Sequence, residues 1–266
     1  MDIDKIIISG LYKNLNKKFP AEKIIIKKVQ VELRKGHVYK ILLKKNSKTK
    51  IYYAKYYSNF EKAKKIAELN KYQFDSKKYQ MTRPVFLFDD FKTIVFNNIG
   101  GIRFSRIIPY IISPAYYANK GQANRIIKKI AKCLVYIHRA TNPGIKNSID
   151  IDYTLSILKK IESLNQIEKS KVTFMLKNNH HTIGELPLLF SHNDFVSKNI
   201  IISKDLIGLI DVDSFSFDNR IFDFHSFFTN LEFKAIIPIY SKKIINKIRS
   251  EFILEYKKFY PISLTE

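Results

Sequence analysis

The change of residue periodicity at the Gly100-Gly101 pair constrains the fold of this chain more than any other feature. Before the pair, short β-branched runs alternate with turn residues, which predicts strands at 23–31, 38–43, 50–57, 85–88 and 93–96 and one helix from Asn59. After it, apolar residues recur at helical spacing, most clearly at 122–138, and we predict further helices at 152–164, 166–177 and within 226–260. Strand-like runs return only within 188–212. The pattern predicts an α+β fold with a small β-rich lobe at residues 1–98 and a larger helical lobe at 99–266.

Length and apolar content are those of an ordered globular protein. The 266 residues are 45% apolar, and no apolar run approaches the roughly 18 residues that cross a bilayer. The first residues lack the basic lead of a secretory signal. Cys133, the single cysteine, lies within a helical pattern and is predicted to be buried. We therefore expect a cytoplasmic protein with no transmembrane segment.

The net charge of +23 could attract nucleic acid, an anionic membrane or an acidic substrate. The basic residues are 39 Lys but only 8 Arg, and they are dispersed along the chain. Arg is the side chain suited to bidentate phosphate recognition. We therefore expect a solvated basic surface rather than a dedicated nucleic-acid site, and peripheral contact with an anionic surface stays open.

The densest group of polar residues lies at 191–199, followed by a short hairpin that ends at Asp211. Asp194 and Asn199 are five residues apart on one loop, and a hairpin would return the chain to the same point at Asp211. Phosphoryl transfer needs mainly a positioned hydroxyl and neutralised phosphate oxygens. In such a scheme Asp194 is the catalytic base, and Asn199 and Asp211 offer the oxygen ligands that Mg²⁺ prefers.

The segment H-N-D-F-V-S-K-N-I-I-I, followed by L-I-D-V-D, resembles the catalytic loop and metal-binding segment of the aminoglycoside phosphotransferase and choline-ethanolamine kinase superfamily. The pattern of that superfamily is H-x-D-x-x-x-x-N and then a hydrophobic strand ending in I-D. Asn193, between the His and the Asp, is similar to choline and ethanolamine kinases, and the spacing from Ile210 to Asp223 also resembles the spore-coat kinase-like branch. The resemblance implies a two-lobed protein-kinase-like fold, ATP and Mg²⁺ as cofactors, and a small-molecule hydroxyl acceptor.

The resemblance also implies a nucleotide-binding half in the first lobe. Lys55 closes the third strand, where the superfamily keeps the lysine that holds the nucleotide phosphates, and Glu68 is its first candidate partner, with Glu61 second. Gly36 alone represents the glycine-rich cover over the phosphates. Phe96 to Gly100 resembles the hinge, where the backbone of Asn97, Asn98 and Ile99 would bind the adenine edge.

Five further polar residues have open or supporting roles. Lys198 is either a basic residue near the transferred phosphate or a solvent-facing lysine, and Asp213 either reaches a second metal or the acceptor or is solvated. By resemblance, His192 orients the catalytic loop, Asp223 ties that loop in place, and His138 is a packed or capping residue. The pair His180-His181 is predicted to lie at the surface, because adjacent helical residues point about 100° apart and no third ligand has suitable spacing.

These observations predict an ATP- and Mg²⁺-dependent phosphotransferase acting on an amino alcohol, an aminoglycoside, or a sugar or lipid headgroup. A protein substrate fits less well, because a helix follows Asp211 within a dozen residues and leaves no room for an activation loop. The alternative is a catalytically silent pseudokinase that binds nucleotide or a partner.

Overall fold

The structure, a computed structural model, describes residues 2–20, 22–29, 37–71, 76–140, 166–167, 170–171, 173–174, 189–218, 220–234, 237 and 240–259. Residues up to Ile107 and Ser197–Ser214 form one compact unit, and Ile108–Val196 with the residues from Phe215 form a second. The first unit thus combines the N-terminal part of the chain with a short segment from much later in the sequence. The predicted lobe boundary after Asn98 stays a prediction.

A five-stranded antiparallel sheet, in the order β1-β2-β3-β6-β5, is the main element of the first unit. Its strands are β1 (Lys23–Val29), β2 (Val38–Lys45), β3 (Lys48–Tyr56), β5 (Pro84–Phe88) and β6 (Thr93–Asn97). Helix α1 (Ile3–Lys18), which is capped by the side chain of Asp2, packs Ile7, Leu11 and Leu15 against the alternate buried residues of β2. Each such large side chain contributes roughly 1.5–3 kcal/mol by leaving water, so this contact builds the core of the unit.

A second sheet of the first unit, in the order β4-β10-β9-β7, carries the hairpin from the later segment. Its strands are β4 (Tyr79–Met81), β7 (Ile102–Arg103), β9 (Ile200–Ile202) and β10 (Ile207–Leu209). Strands β9 and β10 are antiparallel, whereas β10 runs parallel to β4. Helix α2 (Phe60–Ala67), capped by Asn59, leads into a 3-10 helix at Glu68–Lys71. Two further 3-10 helices lie at Asp89–Phe91 and Val212–Ser214.

The second unit is mainly helical. Helix α3 (Phe104–Ile112) leads into it, and α4 (Ala115–Ala140), with a break at Asn119, packs against α6 (Lys242–Lys257). Helix α5 (Ile221–Lys234) adds Phe227, whose ring stacks on Phe252 of α6 at 4.8 Å between centroids. A two-stranded antiparallel sheet, β8 (Leu189–Ser191) with β11 (Ser216–Asp218), completes the described part of this unit.

The predicted α+β class is confirmed, as are the five predicted N-terminal strands and the helix after Asn59. The chain has a β-sheet region followed by a helical region, with strands returning at 189–218. Sequence reasoning missed helix α1, although Ile7, Leu11 and Leu15 recur every four residues. The helix predicted at 152–164 and the histidines at 180–181 lie outside the described residues, and only short pieces of the one at 166–177 are described as helix. None of the helices that the structure describes is both long and apolar enough to span a membrane.

Candidate active site

Within the first unit, Lys55 lies between two carboxylates of the segment that follows β10. Its Nζ atom is 2.8 Å from Oδ1 of Asp211 and 2.6 Å from Oδ2 of Asp213. Tyr57, two residues further along the chain, donates a hydrogen bond of 2.7 Å from its hydroxyl to Oδ1 of Asp213. More than 150 residues separate the two partners of each contact, so only the fold joins them.

The electrostatics of this cluster keep both donors protonated. Burial alone would lower the pKa of Lys55, but the charges of Asp213 and Asp211 and their hydrogen bonds outweigh it and raise the pKa above its ordinary value. Burial, followed by the charge of Asp213, raises the pKa of Tyr57. Lys55 is therefore an ammonium ion and Tyr57 a neutral hydroxyl at any physiological pH.

Asn199 and Asp211 lie at the open end of the β9-β10 hairpin. The amide of Ile210 donates to the carbonyl of Asn199 at 2.9 Å, which continues the ladder beyond the paired residues Leu209 and Ile200. Asp211 then turns away with φ of +62°, a left-handed conformation that costs a non-glycine residue roughly 1 kcal/mol and that is common at functional sites. The side chain of Asn199 is only 3% exposed. The hairpin therefore brings the two predicted metal ligands to one edge of the sheet.

The predicted hinge follows β6. Both backbone polar groups of Asn97 are hydrogen-bonded within the protein. Its amide donates to the carbonyl of Arg83 at 3.0 Å, and its carbonyl accepts from Oγ1 of Thr82 at 3.0 Å. Asn98 is exposed, and Ile99 is buried against Gly208 of β10. Neither residue hydrogen-bonds through its backbone to any residue in the described ranges, whereas the backbone of Asn97 does.

In the second unit, the loop that carries Asp194 is held by the fully buried carboxylate of Asp223. The backbone amides of His192 and Asn193 donate to Asp223 at 3.0 and 2.8 Å. Asn193 has a φ of +58°, and Phe195 packs its ring 5.6 Å from that of Phe227. Asp194 itself is half-buried between these two anchored positions. The predicted supporting role of Asp223 is confirmed.

Behind Asp223, a buried chain of polar contacts reaches α6. His138 of α4 has Nε2 at 3.1 Å from Oδ2 of Asp223 and Nδ1 at 2.6 Å from the hydroxyl of Tyr256. His138 and Asp223 are both completely buried, and Asp223 lies in the first turn of α5, where the helix dipole stabilises a negative charge. His138 is packed, as predicted, and it also connects the loop anchor to two helices. Sequence reasoning missed Tyr256 and Tyr57, because neither lies in a motif.

Two predicted site residues, Glu68 and Lys198, are not part of these clusters, and a third, Gly36, lies outside the described residues. Glu68 begins the 3-10 helix after α2 and is exposed, and the carboxylates bonded to Lys55 are those of Asp211 and Asp213. Lys198 is exposed in the turn before β9. The pairing of Lys55 with Glu68 and a role for Lys198 in catalysis stay predictions.

The donors at the hairpin end fit a magnesium ion. The carboxylate of Asp211 and the amide oxygen of Asn199 are the hard oxygen ligands that Mg²⁺ takes beside substrate phosphates. A cation, the ammonium of Lys55, already lies against the Asp211 carboxylate in this structure. Among the described residues no three His, Cys, Asp or Glu side chains gather into a metal cluster.

No protein-family model and no curated protein sequence match this chain. Solved structures do match it. One is a protein of Ralstonia eutropha assigned as an aminoglycoside phosphotransferase, which matches with a TM-score of 0.65, 10% identity and coverage of 96% of this chain and 82% of that protein. The choline kinase of Cryptosporidium parvum matches with a TM-score of 0.57, 14% identity and coverage of 96% and 79%. A thermostable aminoglycoside phosphotransferase mutant in a ternary complex with ADP and hygromycin B matches with a TM-score of 0.54, 11% identity and coverage of 93% and 88%.

These likenesses establish the fold of the chain as the kinase-like fold of choline kinases and aminoglycoside phosphotransferases. The predicted superfamily resemblance is thereby confirmed at the level of the fold.

Proposed function

We propose that this protein is an ATP- and Mg²⁺-dependent phosphotransferase that moves the γ-phosphate to a hydroxyl of a small molecule. The observation that carries the proposal is the cluster of Lys55, Asp211 and Asp213 at the hairpin end that also holds Asn199. A lysine from the sheet, two carboxylates and an amide oxygen supply what a metal-bound nucleoside triphosphate needs, namely a cation for phosphate oxygens and hard ligands for the metal.

Each group has one task in the proposed reaction. Asp194 accepts the proton of the acceptor hydroxyl, and the anchoring of its loop by Asp223 fixes the direction from which the hydroxyl approaches. Lys55 binds phosphate oxygens, and Asn98 and Ile99 receive the adenine edge. Asn199 and Asp211 hold Mg²⁺, which when bound neutralises charge on the phosphate oxygens. Lys198 would add a positive charge near the transferred group.

The acceptor class is part of the proposal. Amino alcohols, aminoglycosides and sugar or lipid headgroups are the candidates, because they present a free hydroxyl and because solved proteins of this fold are named as kinases of such molecules. We place the enzyme in the cytoplasm, where ATP is supplied.

Release of ADP from ATP and Mg²⁺ across a panel of amino alcohols, aminoglycosides and saccharides tests this function. Asp194→Asn should lower kcat by about 100-fold or more, the usual contribution of a general base, and should leave the nucleotide Kd nearly unchanged. Asp205→Asn, an exposed acid in the β9-β10 turn, is the matched control and should retain full turnover.

Turnover by Asp194→Asn at the parent rate would refute the catalytic role of that residue. Metal-dependent nucleotide binding without turnover of any acceptor in the panel would favour the pseudokinase alternative.

A further inference from the structure

Asp213, whose role the sequence leaves open, is held by the protein at both carboxylate oxygens. Its Oδ1 accepts a hydrogen bond of 2.7 Å from the hydroxyl of Tyr57, and its Oδ2 lies 2.6 Å from Nζ of Lys55. Its side chain is 19% exposed, against 34% for Asp211. Asp213 is therefore the more enclosed of the two acids, and donors at the end of β3 occupy both of its oxygens.

Tyr57 can fix Asp213 because Tyr57 is itself held in place. It directly follows β3 and is 6% exposed, and its amide donates to the carbonyl of Lys92 at 2.9 Å. The centre of its ring lies 5.7 Å from Nζ of Lys55, within the range of a cation–π contact. Tyr57 thus contacts the lysine with its ring and the acid with its hydroxyl.

The surroundings of Asp213 suit a contact with a lysine better than one with a metal ion. Rotation of Asp213 toward a metal would take Oδ1 away from the Tyr57 hydroxyl, and the loss of an acceptor is unfavourable for a buried donor. Binding of phosphate by Lys55 requires no such loss, because an ammonium group has three donors. One donor can stay with Asp213 while the others reach phosphate oxygens. Asp213 therefore fits the role of holding Lys55.

The two acids that contact Lys55 both follow β10 in the sequence. Glu68, the predicted partner of Lys55, is exposed at the start of the 3-10 helix after α2. Asp213 belongs to the 3-10 helix Val212–Ser214, which lies against α2. In this structure Asp213 thus supplies the kind of contact that was predicted for Glu68.

We propose that Asp213, fixed by Tyr57, positions the ammonium of Lys55 for the nucleotide phosphates and leaves the metal to Asp211 and Asn199. In this arrangement neither Tyr57 nor Asp213 touches the reacting atoms, so both are positioning residues. A lysine side chain is flexible, and a fixed carboxylate beside it limits the orientations that its ammonium adopts. The assignment rests on the proposed phosphotransferase function and deepens it.

Binding of a fluorescent ATP analogue to the full chain in the presence of Mg²⁺ tests the assignment. Tyr57→Phe keeps the ring beside Lys55 and removes only the hydroxyl, so we expect the Kd to rise about 3–10-fold, the contribution of roughly one hydrogen bond. Tyr52→Phe is the matched control, because it removes a hydroxyl from the same strand on the side that packs against the core under α1. Its Kd should stay at the parent value.

Two further measurements separate an effect through Lys55 from other causes. Adenosine lacks the phosphates that Lys55 would bind, so its displacement of the analogue should give the same Kd for Tyr57→Phe and the parent. The Mg²⁺ concentration for half-maximal binding of the analogue should also be unchanged in Tyr57→Phe, whereas Asp211→Asn, which alters the proposed metal ligand, should raise it. Circular dichroism confirms that each variant is folded.

Three results with a parent that binds the analogue would overturn the assignment alone. One is an equal Kd of the analogue for Tyr57→Phe and Tyr52→Phe. Another is an equal loss of affinity for adenosine and for the analogue in Tyr57→Phe, which would indicate a general disturbance of the fold. The third is a higher Mg²⁺ requirement in Tyr57→Phe, which would make Asp213 a metal ligand. A parent that binds no ATP analogue would refute the proposed function, and the assignment with it.

Discussion

Replacement of Asp223 is the sharpest test of how the loop around Asp194 is held. Asp223 is completely buried and accepts hydrogen bonds from the backbone amides of His192 and Asn193, with His138 on its other side. In Asp223→Ala the two amides lose their acceptor. A buried donor left unsatisfied costs about 1–3 kcal/mol, so for the two amides we expect the free energy of unfolding to fall by about 2–6 kcal/mol.

Asp223→Asn refines the expectation. An amide offers one acceptor oxygen where the carboxylate offers two, so one of the two loop amides would face an NH₂ group. We expect a loss of roughly half the alanine effect, together with a clear drop in kcat for the acceptor that the panel identifies. Nucleotide affinity should change little, since the residues proposed to bind ATP belong to the first compact unit.

Urea unfolding followed by circular dichroism measures the stability, and ADP release measures kcat. Asp205→Asn serves as the control for removal of one acidic charge, because Asp205 is exposed in the hairpin turn. If both Asp223 variants stay within about 0.5 kcal/mol of the parent, a difference typical of neutral surface changes, Asp223 does not anchor the loop and the reasoning fails.

Two other perturbations have a definite sign. In Gly208→Ala the added Cβ would lie 2.4 Å from Cγ2 of Ile99, so we expect overpacking to lower the free energy of unfolding by about 1–3 kcal/mol and to weaken the affinity for ATP. Gly121→Ala is the control and should show neither effect, because no atom lies within 4 Å of the added Cβ. Equal stability of the two variants in urea would contradict the expectation. Burial would raise the pKa of Glu255, but hydrogen bonds from Lys258 and Lys132 outweigh it and lower the pKa below the ordinary 4.5. The stability that this carboxylate contributes is therefore present above pH 4.5 and is lost as the pH falls below that value. In urea unfolding, the difference in stability between the parent and Glu255→Gln should shrink below that pH, and a difference independent of pH would contradict the assignment.

The sequence predicted those parts of the fold that local patterns determine. Alternating runs predicted the strands of the first sheet, and the polar residues at 191–199 and Asp211 marked the segment in which the anchored loop and the hairpin end lie. Helix α1 was missed because its first residues were interpreted only as a short apolar stretch. The recurrence of Ile7, Leu11 and Leu15 every four residues is a local helical pattern, so the sequence alone could have predicted this helix.

Contacts between distant segments were beyond sequence reasoning. The hydroxyl of Tyr57 meets Asp213 only because β3 and the segment after β10 come together, and two tyrosines beside a lysine carry no signal of that contact. The bond from His138 to Tyr256 joins residues that are 118 positions apart.

The cluster around Lys55 has a structural task as well as the proposed catalytic one. Asp211 and Asp213 are two residues apart, and both carboxylates contact the same ammonium, so the charge of Lys55 offsets their mutual repulsion. Removal of that charge would leave two neighbouring, partly buried carboxylates beside the strained backbone of Asp211. Loss of activity in a Lys55 variant would therefore have two causes, the loss of the proposed phosphate ligand and a displacement of the segment that carries Asp211 and Asp213. Substitution of Asp194, whose loop is anchored independently by Asp223, separates chemistry from this local disturbance.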